Sequence, residues 1–169
     1  MLITSSFACG ISTPEYIKGS AKDINLTLDE MINLGLASDN YSVGADGLYK
    51  MTLFGWLIVK AENCDNLESF SYRYFVPIHF FIFKGEGTGV SVTIYKDSDS
   101  AKKCFNKIKE LYTQSKQFMP TETLVGDDSG KISYQLYFVK DNLIGRILTS
   151  CDTCATSIAE KLIEKISEP

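Results

Sequence analysis

The tightest constraint in this sequence is a change of apolar rhythm near Asp97. Before it, Leu48–Ala61, Phe70–Val76, Ile78–Phe83 and Val90–Tyr95 alternate with period two or run continuously apolar, which is the spacing of strands. After it, Ala101, Cys104, Phe105, Ile108, Leu111 and Tyr112 recur at three- and four-residue intervals, as on one face of a helix. Lys102, Lys103, Lys107 and Lys109 occupy the other faces of that helix. Strand-like runs that follow one another before the first long helix favour antiparallel pairing over alternating parallel units.

The remaining elements fit that scheme. Thr27-Leu-Asp-Glu30 has the spacing of a capping box and predicts a short helix ending near Gly35, with Leu28, Met31 and Ile32 on one side. Pro77 separates two strand-like runs, because it cannot donate to a ladder, and Gly85-Glu-Gly87-Thr-Gly89 reads as a hairpin turn. A loop with Pro120 and Val125-Gly-Asp-Asp-Ser-Gly130 leads to strands Ile132–Val139 and Leu143–Thr149 around the turn Lys140-Asp-Asn142. A final helix is predicted from about Thr153 to Ile166, with the stripe Ala155, Ile158, Ala159, Leu162, Ile163 and Ile166. The expected fold is α+β: an antiparallel sheet of about six strands, two main helices packed on one face and a short N-terminal helix. Residues 25–169 form the single domain, and residues 1–24 are a leader remnant or flexible N-terminal segment. Phe105, Ile108, Leu111, Ile158, Leu162 and Ile163 are the expected buried helix side chains.

A chain of 169 residues accommodates one domain, and 44% hydrophobic residues exclude a disordered or fibrous protein. No run approaches the ~18 consecutive apolar residues of a spanning helix. The net charge is −4, and only Arg73 and Arg146 are arginine, so nucleic acid is a poor partner and attraction to a membrane by charge has no basis.

Chemistry-bearing residues are few. His79 is the only histidine and sits in Pro-Ile-His-Phe-Phe-Ile-Phe, where it reads as an ordinary strand residue, so most metal sites and His-dependent triads drop out. Asp97, Asp99, Asp127 and Asp128 lack the spacing of a calcium loop and read as helix caps, Asp99 or Ser98 at the long helix, and turn residues. The Gly85–Gly89 loop lacks the lysine and the following helix of a phosphate loop. No cofactor fingerprint is visible.

The cysteines are the most informative residues. Cys9 follows Ala8 in a stretch that reads as a lipoprotein cleavage region, which makes it a lipidation candidate, though the first residues lack the positive start of a full signal. Cys64, Cys104, Cys151 and Cys154 then form an even set suited to two disulfides in an exported protein. Cys104 is either a buried thiol or a partner of Cys64. Cys151-Asp-Thr-Cys154 precedes a helix and is a structural disulfide, a pair of free thiols or a redox pair. Asn25-Leu-Thr27 and Asn40-Tyr-Ser42 are glycosylation sequons, usable only outside the cytoplasm.

The segments TLDEM, VSVTIYKDSDSAKKCF and LVGDDSG, followed by a hairpin and a terminal helix, resemble small exported lipoprotein-like domains of archaea and bacteria over about residues 25–167. The resemblance implies an extracytoplasmic location and an α+β shape akin to the PsbP-like fold. The expected function is a non-enzymatic exported or surface-anchored binding domain. Its partner is an unknown protein or a small apolar ligand, and membrane contact runs only through a lipid at Cys9. Two alternatives stand beside it: a carrier of small hydrophobic ligands built from Trp56, Tyr72, Tyr74, Phe81 and Phe83, and a thiol–disulfide redox protein using Cys151 and Cys154.

Overall fold

The computed structural model describes residues 16–39, 41–44, 64–77, 87–121 and 123–167. The strand-like runs Leu48–Ala61 and Ile78–Phe83 lie outside the described residues.

Two short helices open the described chain, α1 (Ala21–Ile24) and α2 (Leu28–Asn33). The capping box of α2 forms: the Glu30 N–H donates to Thr27 Oγ1 at 3.2 Å and the Thr27 N–H donates to Glu30 Oε2 at 2.6 Å. Ile17, Ala21 and Ile24 belong to the core, so packing begins within the stretch expected as leader, ahead of residue 25. Seven strands follow among the described residues: β1 (Tyr41–Gly44), β2 (Leu67–Pro77), β3 (Thr88–Tyr95), β4 (Phe118–Pro120), β5 (Asp128–Ile132), β6 (Gln135–Lys140) and β7 (Leu143–Leu148). They form one antiparallel sheet in the order β1-β2-β3-β7-β6-β5-β4, which makes the fold α+β. The two long helices are α3 (Ser98–Gln114), between β3 and β4, and α4 (Asp152–Ser167), after β7.

The strand expected over Ile132–Val139 divides at Ser133-Tyr134, where a two-residue turn joins β5 to β6. Ser133 adopts φ 55° there, and Asp141 adopts φ 51° in the matching turn between β6 and β7. Neither turn carries the Asn-Gly or Asp-Gly pair that marks such hairpins in sequence, which is why the first one reads as continuous strand.

The two long helices lie on opposite faces of the sheet, which corrects the expectation that both pack on one. Val90, Val92, Ile94, Leu136, Phe138, Leu143 and Ile147 share a core with Ala155, Ile158, Ala159 and Leu162 of α4 and with α1 and α2. The alternate residues Tyr137, Val139 and Ile144, with Tyr95 and Ile132, pack against Ala101, Cys104, Phe105 and Ile108 of α3. In β6 four consecutive residues, Leu136 to Val139, are buried, and a strand apolar on both faces needs cover on both.

Of the six helix side chains expected inside, Phe105, Ile108, Ile158 and Leu162 are buried and Ile163 is half-buried. Leu111 is 48% exposed, because Tyr112, one turn on from Ile108, takes the inward place. Replacing Leu162 with Ala is therefore expected to cost about 2–5 kcal/mol in urea unfolding, whereas Leu111→Ala should stay within about 0.5 kcal/mol of the parent.

Candidate functional site

Asn25 is fully buried, and this overturns its reading as a glycan acceptor. Its Nδ2 donates to Ser71 Oγ and to the Val90 carbonyl, both at 3.1 Å, and its Oδ1 accepts the Leu26 N–H at 2.9 Å. A glycan on Nδ2 would displace the bonds that hold α1 to the sheet. The hydroxyl of Thr27, which completes the sequon, caps α2. Asn40, Cys9, His79, Trp56, Phe81, Phe83 and Gly85 lie outside the described residues.

The other four cysteines meet in two pairs at disulfide geometry. Cys64 and Cys104 have sulfurs 2.00 Å apart and Cα atoms 5.4 Å apart. Cys104 faces inward from α3 and accepts the Tyr95 hydroxyl at 3.1 Å, so this pair ties the chain ahead of β2 to the helix on the sheet. Cys151 and Cys154 have sulfurs 2.04 Å apart. Cys151 lies just ahead of α4, and its carbonyl accepts the Ala155 N–H at 3.0 Å. Its sulfur accepts the Cys154 N–H at 3.3 Å, standing where a serine or threonine oxygen caps other helices.

Beside the first pair is a cleft of about 160 Å³, walled by Cys64, Asn66, Asp99, Ser100, Lys103 and Lys107. Its volume is about half the ~300 Å³ at which small-molecule pockets begin. The aspartates act as caps and ion-pair partners. Asp97, and neither Asp99 nor Ser98, caps α3, accepting the Ser100 N–H at 2.6 Å, and this bond holds its carboxyl below the usual range. Burial pushes the Asp127 carboxyl up, but the Asp141 N–H at 3.0 Å and Lys140 at 3.1 Å outweigh it and hold the group below its ordinary value. Asp128 pairs with Lys109 at 2.6 Å. Among the described residues no cluster of His, Cys, Asp and Glu could hold a metal ion.

One constellation escaped the sequence reading. On the face that carries α3, Tyr72, Ser91, Arg146 and Tyr137 stand in register across β2, β3, β7 and β6. Arg146 Nε donates to Gln135 Oε1 at 2.7 Å, the Tyr137 hydroxyl donates to the same oxygen at 2.9 Å, and the guanidinium carbon lies 5.8 Å from the Tyr137 ring centre. Burial raises the Tyr72 phenol above its ordinary value, and the positive charge of Arg146 opposes that rise. Tyr72 stacks on Tyr74 with ring centres 6.5 Å apart, and its hydroxyl lies over Gly89, where a Cβ would collide with it. The two tyrosines expected to line a carrier pocket stand side by side on this face of the sheet, Tyr72 buried and Tyr74 half-buried. The available sequence signal was a lone arginine inside the apolar strand Leu-Ile-Gly-Arg-Ile-Leu.

No protein-family model matches this chain, and no curated protein matches it at a significant level. No helix among the described residues is long and apolar enough to cross a membrane. The paired cysteines are compatible with an extracytoplasmic location.

Two outcomes follow from this geometry. The Cys64–Cys104 bond closes a sequence separation of 40 and the Cys151–Cys154 bond one of 3, so chain entropy gives about 4 and about 2 kcal/mol. Cys64→Ala with Cys104→Ala should therefore lower the urea midpoint more than Cys151→Ala with Cys154→Ala. The second concerns pH: the folded Asp127 carboxyl is depressed below 3.8, so its contribution is present above that value and is lost as pH falls through the folded value. Asp127→Asn should lower the urea midpoint at pH 7, and the gap to the parent should close as acidification protonates the folded Asp127 carboxyl.

Proposed function

We propose that this chain is a non-enzymatic, exported or surface-anchored binding domain. The observation that carries the reading is the pairing of Cys64 with Cys104 and of Cys151 with Cys154, since disulfides persist in oxidising compartments. The likeness to exported lipoprotein-like domains points the same way, with lipidation at Cys9 as the means of anchoring. The test is the thiol state of the full chain isolated from its native envelope. All four cysteines should resist alkylation until reduced, and free labelling of the Cys64–Cys104 pair would remove the basis for export.

A second reading, thiol–disulfide exchange, is favoured by one contact, the Cys154 N–H donated to Cys151 Sγ at the positive end of α4. In it, the reduced Cys151 thiolate attacks a substrate disulfide and one substrate thiolate leaves. The Cys154 thiolate then attacks Cys151 Sγ, releasing the second substrate thiolate as the Cys151–Cys154 bond forms; an external dithiol reduces the pair again. The binding-domain reading expects no dithiothreitol-driven reduction of a small disulfide above background. Turnover that Cys151→Ser abolishes would transfer the assignment to the second reading.

A further inference from the structure

The two arginines are used differently. Arg73 is spent on the backbone: Nη1 donates to the carbonyls of Asn25 at 2.9 Å and Leu26 at 2.8 Å, and Nη2 to that of Lys22 at 3.1 Å. Arg146, half-buried on the opposite face of the sheet, spends only Nε, on Gln135 at 2.7 Å. That bond and the Tyr137 ring beneath fix the guanidinium plane, while Nη1 and Nη2 have no hydrogen-bond partner and no carboxylate among the described residues.

The neighbours of Arg146 are also unsatisfied. Ser91, its register partner on β3, is 4% exposed, and its Oγ has no hydrogen-bond partner among the described residues. Tyr72, the register partner of Ser91 on β2, is 7% exposed, and its hydroxyl, which is not among the buried unpartnered atoms, bonds to no other described residue. A half-buried cation beside a buried, unanswered hydroxyl lacks an acceptor-rich negative group. The guanidinium fork matches the paired oxygens of a carboxylate or phosphate.

We propose that Arg146, Ser91 and Tyr72 bind the oxyanion of a small ligand, a carboxylate or a phosphate, on the sheet face beside α3, with Gln135 and Tyr137 as positioning residues for the guanidinium. The half-buried Tyr74 ring, stacked on the buried Tyr72 ring, gives an aromatic body on the ligand an edge to lie against. This inference rests on the reading of the chain as a binding domain and names its ligand class; it does not depend on export.

The test uses the full chain with both disulfides intact, titrated with sodium benzoate or sodium phosphate at constant ionic strength while the Arg146 Nε–Hε and Ser91 amide resonances are followed by NMR. At least one anion should give a saturable shift with a dissociation constant in the millimolar range or tighter. Saturation by benzoate alone identifies a carboxylate ligand, and saturation by phosphate alone a phosphate ligand. Arg146→Gln should abolish the Ser91 shift, and Arg146→Lys should weaken binding about tenfold, because an ammonium cannot reproduce the fork. Ser91→Ala removes a buried hydroxyl without a partner, so it should leave the thermal midpoint unchanged or higher while weakening binding. No saturable shift with either anion would overturn the site, as would equal affinity in Arg146→Gln with its fold intact. Absent binding with protected thiols leaves the binding-domain reading standing, and binding with free thiols removes export but keeps the site.

Discussion

Where the two long helices lie, the central strands are apolar on both faces, β6 over residues 136–139, β3 at 94–95 and β7 at 143–144, and that requirement for cover places α3 and α4. In β3, β7 and β6 one set of alternate residues meets α4, α1 and α2, and the other meets α3. Burying each large apolar side chain is worth about 1.5–3 kcal/mol, far more than the local preference of any single turn. The chain therefore adopts three layers, helix, sheet and helix. The sheet is antiparallel, so two-residue turns suffice to join β5 to β6 and β6 to β7.

Polar side chains hold the N-terminal segment to this frame. Asn25 bridges Ser71 on β2 and the Val90 carbonyl on β3, and Arg73 reaches from β2 to three carbonyls of that segment. Asn142, in the turn between β6 and β7, accepts the Ile17 N–H at 2.9 Å and donates to the Tyr95 carbonyl at 2.8 Å. Asn25 and Asn142 are fully buried but hydrogen-bonded, which removes the penalty that burial imposes on an unpaired amide. Arg146 and Ser91 break that pattern on the other face, and the exception directs attention to a ligand.

The two cysteine pairs differ in mechanical role. Cys64–Cys104 joins segments distant in sequence and fastens α3 to the chain that enters β2, whereas Cys151–Cys154 closes a single turn at the start of α4. The first constrains the unfolded chain strongly and belongs to the scaffold. The second adds little constraint and presents sulfur at a helix start, the place where exchange chemistry is easiest to support.

Much of the fold follows from local physics that is legible in the chain. The periods of two and of three to four residues located β2, β3, β7, α3 and α4, and the Thr27–Glu30 spacing located α2, because both signals depend only on which side chains share a face or a turn. The even cysteine count after Cys9 suited two disulfides by parity alone, and the pairing itself came from the packed chain. What needed the tertiary structure was every relation between elements. The turn at Ser133 was hidden because a non-glycine residue takes positive φ there under the pull of strand pairing. The burial of Asn25 and the inward place of Tyr112 over Leu111 depend on which surfaces meet. So does the row Tyr72, Ser91, Arg146 and Tyr137, drawn from four strands separated in sequence and aligned only by the register of the sheet. Periodicity says that a side chain faces inward, but only the packed sheet decides which neighbours it finds there.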